Sequence, residues 1–389
     1  MAISISFFSN FFNEHQLPVA HELNLRSNID YSFVAMEQVD GLEGRSCLND
    51  QYPFVIRQYR GANEASKAME RVLNDDIVVF GDMAGDESYV RERAKTGKPF
   101  FRYAERLLKR GDWWAYAPPK QYRTYDRFMR YAGSPMYVLC ASGYTARDLS
   151  KFGFPVDKCL KWGYFPQVIS NLELEDDQLN EKGLKLCSVQ RLISWKRVDL
   201  QILMARKLRD RGLSFSLKIA GDGGERLSLE RLVRRLSLED CVELIGSISS
   251  AGASSLMSAS DIFLATSNRK EGWGATVNEA MASGCAVVAS NMMGSAPFLI
   301  NPGVDGVVFR SGDASDLAES VESLAENRLK LKSIADAAIA KIAGPWSAGS
   351  AVDRFIRVST EYLRQGYLTP YDDGPLSSAV AIDEDWYLG

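Results

Sequence analysis

Apolar residues along this chain fall into short runs separated by longer amphipathic stretches. In the first part, runs at 3–8, 31–36, 52–56, 77–82, 99–103, 136–142 and 160–166 predict strands. Helical spacing appears between them at 19–25, 63–73, 87–96 and 145–152. An acidic stretch from Asn171 then reads as a linker. Beyond it, strand-like runs at 184–189, 216–220, 242–246, 261–265, 286–289 and 304–309 alternate with helical patterns at 198–211, 227–236, 254–259 and 314–326. Strands alternating with helices predict parallel sheets with crossover helices. A last amphipathic helix is expected at about 348–363, followed by a tail from Gly366 rich in Pro, Gly and Asp. The tail is expected to be loose, with Trp386, Tyr387 and Leu388 as the residues that could dock.

The chain of 389 residues is long enough for two or three domains, and 46% hydrophobic with 25% charged residues is the balance of a soluble globular protein. Expected boundaries are 1–168 for a first domain, 169–183 for the linker, 184–345 for a second, 346–365 for the final helix and 366–389 for the acidic tail. A net charge of −4 argues against a general nucleic-acid binder. There is no apolar stretch long enough to span a bilayer and no leader-like start, so a cytoplasmic protein is expected. The six cysteines form no Cys-x-x-Cys pair and read as buried free thiols. With two histidines and no acidic cluster at ligand spacing, no metal is expected.

Charge is uneven, however. Between Arg91 and Arg130 stand twelve Lys and Arg against four Asp and Glu, with Trp113, Trp114 and Tyr116 in the middle. Cations with interfacial aromatics suit an anionic membrane surface or a lipid diphosphate. A solvated helical face beside a buried aromatic cluster is the alternative.

The most informative stretch is Lys270-Glu271-Gly272-Trp273-Gly274-Ala275-Thr276-Val277-Asn278-Glu279. It follows a strand and opens a helix that Gly284 stops. Glycines let backbone approach a ligand, and a helix start offers N–H groups to an anion. Two carboxylates beside such a loop suit a ligand that is anionic at one end and hydroxyl-rich at the other, as a nucleotide diphosphate-sugar is. An ordinary turn with a capping acid is the competing reading. Arg191 and Lys196 lie in the loop after the strand at 184–189 and would suit phosphate oxygens. As solvent-facing cations they would mean nothing. Gly221, Asp222 and Gly223 end another strand. In the first domain, His15 lies in the loop after the first strand, where open parallel sheets place ligands; the alternative is a helix cap or packed surface histidine.

These residues resemble a family. Gln190-Arg191-Leu192 to Lys196, the run from Leu217 to Gly223, Asp261-Ile262-Phe263 to Ser267, and Glu271 with Glu279 occur in the order and spacing of family 4 retaining glycosyltransferases. Phe8-Ser9-Asn10 to Gln16 and the run Phe101 to Arg106 resemble the acceptor domain of bacterial polysaccharide-assembly members. The resemblance implies an α/β GT-B fold, with two Rossmann-like domains facing across a cleft and a C-terminal helix crossing back to the first. It implies a metal-independent hexosyltransferase without a cofactor, using a nucleotide-sugar, UDP ahead of GDP, and a saccharide or lipid-linked acceptor. Glu271, Arg191, Lys196 and His15 would form the catalytic set. Gly221, Asp222, Gly223, Gly272, Trp273, Gly274, Ala275, Thr276 and Glu279 would bind the donor, the stretch from Gly272 to Thr276 through its backbone. Asn13, Arg102 and Glu105 would face the acceptor. Gln190 stands where the family usually has glycine, and the Gly-Gly pair common in the first loop is absent. A non-catalytic GT-B scaffold and a nucleotide-sugar epimerase remain as alternatives. An NAD-dependent dehydrogenase is disfavoured, because no Gly-x-Gly-x-x-Gly follows the first strand with an acid about 20 residues on.

Overall fold

The computed structural model describes residues 2–38, 47–83, 85–166 and 183–388. The linker expected at 169–183 lies, apart from Gly183, outside these residues. The chain divides into two units, one of 1–165 with 345–382, the other of 166–344 with 383–389.

The first unit runs β1 (Ile3–Ser9), α1 (Leu17–Leu25), β2 (Ile29–Ala35), β3 (Val55–Arg57), α2 (Ala62–Asn74), β4 (Ile77–Phe80), α3 (Ser88–Lys95), β5 (Phe100–Ala104), α4 (Pro118–Arg127), β6 (Met136–Cys140), α5 (Thr145–Ser150) and β7 (Cys159–Lys161). Its strands form one parallel sheet in the order β3-β2-β1-β4-β5-β6-β7. All four residues of β4 are buried, as expected of a central parallel strand covered on both faces.

The second unit runs β8 (Leu184–Val189), α6 (Val198–Asp210), β9 (Phe215–Ala220), α7 (Arg226–Arg235), β10 (Val242–Gly246), α8 (Ser250–Ser258), β11 (Ile262–Ala265), α9 (Thr276–Ala282), β12 (Ala286–Ser290), α10 (Ala296–Leu299), β13 (Val307–Phe309), α11 (Ala314–Glu326) and α12 (Arg328–Ala343). Its parallel sheet has the order β10-β9-β8-β11-β12-β13. Its core joins Leu186, Ile219, Leu264 and Val288 from the strands with Ile202, Leu208, Val321 and Ile334 from the helices. Helix α12 was not expected from the sequence. Asn327 caps it by accepting from Lys330 N, and Leu331, Ile334, Ala335, Ala338 and Ile342 line its buried face.

The final helix, α13 (Ala348–Gln365), belongs to the first unit. Its Phe355 packs against Phe7, Phe101 and Trp162 at ring distances of 5.8, 5.2 and 5.8 Å, and Tyr362 against Tyr137 at 5.4 Å. Arg26, directly after α1, pairs with Asp353 at 2.9 Å.

The tail is not loose. Lys161 N donates to Ser377 O at 2.8 Å, Leu376 N to Lys161 O at 2.8 Å and Ala379 N to Cys159 O at 2.9 Å. The tail thereby satisfies the open edge of β7, which a bare parallel sheet would leave unpaired.

Arg102, expected to face an acceptor, is fully buried and donates from both Nη atoms to Glu87, at 2.9 and 3.0 Å. Arg127 reaches the same carboxylate at 3.3 Å. The guanidinium on β5 is therefore committed to holding α3 against the sheet. Removing one partner of a buried pair strands the other charge. Arg102→Ala should cost about 3–5 kcal/mol of stability. Replacing Arg102 and Glu87 together by apolar residues should recover much of it. Chemical denaturation of the two variants checks both.

Candidate donor and acceptor sites

The strand order of the second sheet reverses direction between β8 and β11. Loops at such a switch point diverge and leave a crevice at the strands' carboxyl ends. The loop after β8 carries Arg191 and Lys196, and the loop after β11 carries Glu271. They meet directly, with Lys196 Nζ 2.6 Å from Glu271 Oε2 and both side chains largely buried. Arg191 is exposed, its guanidinium 5.8 Å from the Trp195 ring centre.

Buried polar groups fix this meeting. Gln201, fully buried on α6, donates from Nε2 to Thr266 Oγ1 at 2.9 Å and Ser188 Oγ at 3.1 Å. Thr266 Oγ1 in turn donates to Lys196 O at 2.8 Å. Asn268 N donates to Trp195 O at 2.9 Å, and Glu271 N to Asn268 O at 3.0 Å. Neither Gln201 nor Thr266 was singled out in the sequence. The signal was a glutamine on the apolar stripe Val198, Ile202, Ala205.

The turn after β9 is bound to the same loop. Gln190 N donates to Ala220 O at 3.0 Å, Leu192 N to Asp222 O at 2.8 Å and Glu225 N to Leu192 O at 2.9 Å. A Cβ on Gly221 would stand 1.9 Å from Gln190 O, and one on Gly223 2.4 Å from Leu192 O. Gly221 also has φ +131°, open to glycine. Asp222 Oδ1 accepts from Gly223 N at 2.7 Å.

In the motif itself, Gly272, Trp273 and Gly274 are buried, while Glu271, Ala275, Thr276 and Glu279 are half-buried. Trp273 corrects any reading in which its side chain touches the donor. It is core, 1% exposed, and its Nε1 donates to Asn278 Oδ1 at 2.7 Å. Only its backbone remains for a ligand, and Trp273 O already accepts from Ser295 N at 3.0 Å. Gly274 has φ +87°, and Met293 Cε occupies the space its Cβ would need. The helix that follows, α9, has seven residues, with Glu279 in its first turn.

The acceptor candidates gather in the first unit. Asn13 Oδ1 accepts from His15 N at 3.0 Å, and Asn13 N donates to Gln16 Oε1 at 3.1 Å, building the turn into α1. The exposed His15 ring lies 5.3 Å from the Tyr164 ring, and Tyr164 OH donates to Glu105 Oε1 at 3.1 Å. Lys109 holds the other Glu105 oxygen at 3.0 Å. Tyr164, missed in the sequence, thus joins the loop after β1 to the loop after β5. Arg102 is not in this group.

In the basic segment, Trp113, Tyr116, Tyr122 and Tyr125 are 62%, 75%, 70% and 55% exposed. The aromatic cluster is therefore on the surface, with Arg110 4.8 Å from the Trp114 ring centre and Arg130 5.7 Å from that of Tyr125. Burial, partly offset by Asp148, pushes Lys120 down to about 8, helped by Arg123 and Arg127. Among the described residues, no three His, Cys, Asp or Glu side chains stand close enough to hold a metal ion. No helix there is long and apolar enough to cross a membrane.

Residues 171–341 match the family described as glycosyl transferases group 1. The matched stretch covers most of the second unit. Among curated relatives, the amylovoran biosynthesis glycosyltransferase AmsK of Erwinia amylovora is 31% identical over 201 residues, covering 50% of this chain and 48% of that protein. The putative colanic acid biosynthesis glycosyltransferase WcaL of Escherichia coli is 30% identical over 148 residues, covering 37% and 36%. The chain thus spans about half the length, or less, of these relatives. Among solved structures, Anabaena Alr3699/HepE in complex with UDP matches with a TM-score of 0.68 at 18% identity, over 93% of this chain and 100% of that one. The lipopolysaccharide outer core galactosyltransferase WaaB matches with a TM-score of 0.66 at 18% identity, over 94% and 99%. The chain has the GT-B fold.

Because backbone of two loops meets at Gly221, Gly221→Ala should force them apart. It should cost about 1–3 kcal/mol from the strained φ alone. A drop of several degrees in Tm, with the first unit's near-ultraviolet signal unchanged just below the transition, would be the expected result.

Proposed function

We propose that this protein is a family 4 retaining glycosyltransferase. It moves a hexose from a nucleotide diphosphate-sugar to a hydroxyl of a saccharide or lipid-linked saccharide, in cell-surface polysaccharide or glycoconjugate synthesis. The observation that carries this reading is the Lys196–Glu271 contact of 2.6 Å at the switch point, with Arg191 on the same loop as Lys196. Without a ligand, cation and carboxylate neutralise each other. A diphosphate-sugar gives each a better partner: phosphate oxygens for Lys196 and Arg191, sugar hydroxyls for Glu271. Glu279 would take the ribose hydroxyls, and backbone from Gly272 to Thr276 would approach the phosphates.

In the reaction, the bond from the sugar's anomeric carbon to the diphosphate oxygen breaks, leaving extra negative charge on the diphosphate. An acceptor hydroxyl oxygen bonds to that carbon on the same face, and its proton passes to the leaving phosphate. Fixed cations stabilise the charge as it develops, which suits a metal-independent, cofactor-free step. UDP is preferred as the donor's nucleotide because HepE was crystallised with UDP and with UDP-glucose. A saccharide acceptor accords with relatives named for amylovoran and colanic acid biosynthesis. His15, Tyr164 and Glu105 would border the acceptor.

A thermal-shift screen with UDP, GDP and ADP tests the donor. UDP should raise Tm, and Glu279→Ala should weaken the shift. Lys196→Met should lower kcat/KM by about 10²–10³, the loss seen when one charge-stabilising donor is removed. No shift with any nucleotide would overturn the reading.

The exposed aromatics and cations of 110–130 would hold the enzyme against the anionic cytoplasmic face of a membrane. Flotation with phosphatidylglycerol vesicles at low salt should recover the protein. Trp113→Ser with Tyr116→Ser and Tyr122→Ser should reduce recovery several-fold. No flotation of the wild type removes the membrane from the proposal.

A further inference from the structure

The last residues of the chain group with the second unit and grip two loops that touch the glycine motif, those after β11 and β12. Glu384 Oε1 lies 2.9 Å from Arg269 Nη2, and Arg269 sits between Asn268 and Glu271 in the loop after β11. Asn291, 5% exposed at the end of β12, donates from Nδ2 to Glu384 O at 2.7 Å. Trp386 Nε1 donates to Asn291 O at 3.2 Å. Asn291 also accepts from Ser311 N at 2.8 Å, which fixes its amide. Four residues beyond Asn291, Ser295 N holds Trp273 O, and Met293 fills the space over Gly274.

We infer that Glu384 and Trp386 are positioning residues for the donor site. They clasp the Arg269 loop and the Asn291 loop together, and so hold Glu271 and Gly274 in binding geometry. The inference rests on the donor reading above. The ion pair alone, partly exposed, would contribute little. Its weight comes from acting together with two hydrogen bonds to Asn291, so that two loops, each touching the motif, are tied to the same short segment. The clasp bears on Arg269 and Asn291 and, through them, on the groups of the motif that would bind the donor, so loosening it should weaken donor binding more than the chemical step.

The test compares the full chain with one ending at Ile382, and with Glu384→Ala. Calorimetry with UDP, steady-state kinetics and hydrogen–deuterium exchange are read for each. The truncated chain should bind UDP at least fivefold more weakly, with donor KM raised to match and kcat within twofold. Amides 268–275 should exchange faster, while those of β8 and β9 keep their protection. Glu384→Ala should show part of the effect. The charge exchange Arg269→Glu with Glu384→Arg should restore much of what either single change loses, which a general loss of stability would not do. Unchanged UDP affinity in the truncated chain overturns the inference. If the wild type binds no nucleotide, the donor reading fails instead. Exchange at 268–275 then decides the clasp: unchanged rates overturn it and faster rates sustain it.

Discussion

A parallel sheet that grows outward in both directions from β8 must send its next crossover to the opposite side, and the second unit depends on that constraint. Because β11 pairs with β8 while β9 pairs on the other edge, the loops after β8 and β11 leave their strands side by side and then part. Lys196 and Glu271, 75 residues apart in sequence, meet there through this order of strands. Had β11 been added at an edge, the same two residues would have been separated by the width of intervening strands.

The meeting is held stiffly, by buried polar side chains and close-packed backbone. Gln201 and Thr266 tie the turn at Lys196 to the end of β11 from within the core, through the Gln201 Nε2 and Thr266 hydroxyl donors. On the other side the turn after β9 lies so close to Gln190 and Leu192 that only glycine fits at Gly221. A loop fixed in this way can keep a cation in place before any anion arrives. That is the arrangement that favours a charged leaving group without reorganisation at the moment of reaction.

The first unit divides its charge between two tasks. Arg102 is buried and spent on Glu87, where it secures α3. Further along, Arg110, Arg123 and Arg130 are exposed beside exposed Trp113, Tyr116, Tyr122 and Tyr125. A single basic run in the sequence is thus part scaffold and part outward face. His15 and Glu105 belong to neither, since Tyr164 draws them together at the ends of β1 and β5.

Alternating apolar and helical periods were legible enough to place nearly every strand, because a buried parallel strand needs a continuous apolar run. Helix α12 was less legible: four alanines among its residues 335–340 blur the contrast between its faces. The glycine motif and its two glutamates were legible as a loop and a helix start, since turn chemistry is local. What lay beyond the sequence was every relation across the chain. The fates of Arg102 and Trp273 depended on which partner reached them, Glu87 for one and Asn278 for the other. The tail read as loose because Pro, Gly and Asp carry no periodic pattern. Its order comes from an open strand edge at β7 and from Arg269 and Asn291, none of which its own composition reveals. The sequence alone determined nearly all the strands, their parallel class and the chemical types at the site. Tertiary structure decided which charges face each other, because strand order and burial, unlike periodicity, are properties of distant residues brought together.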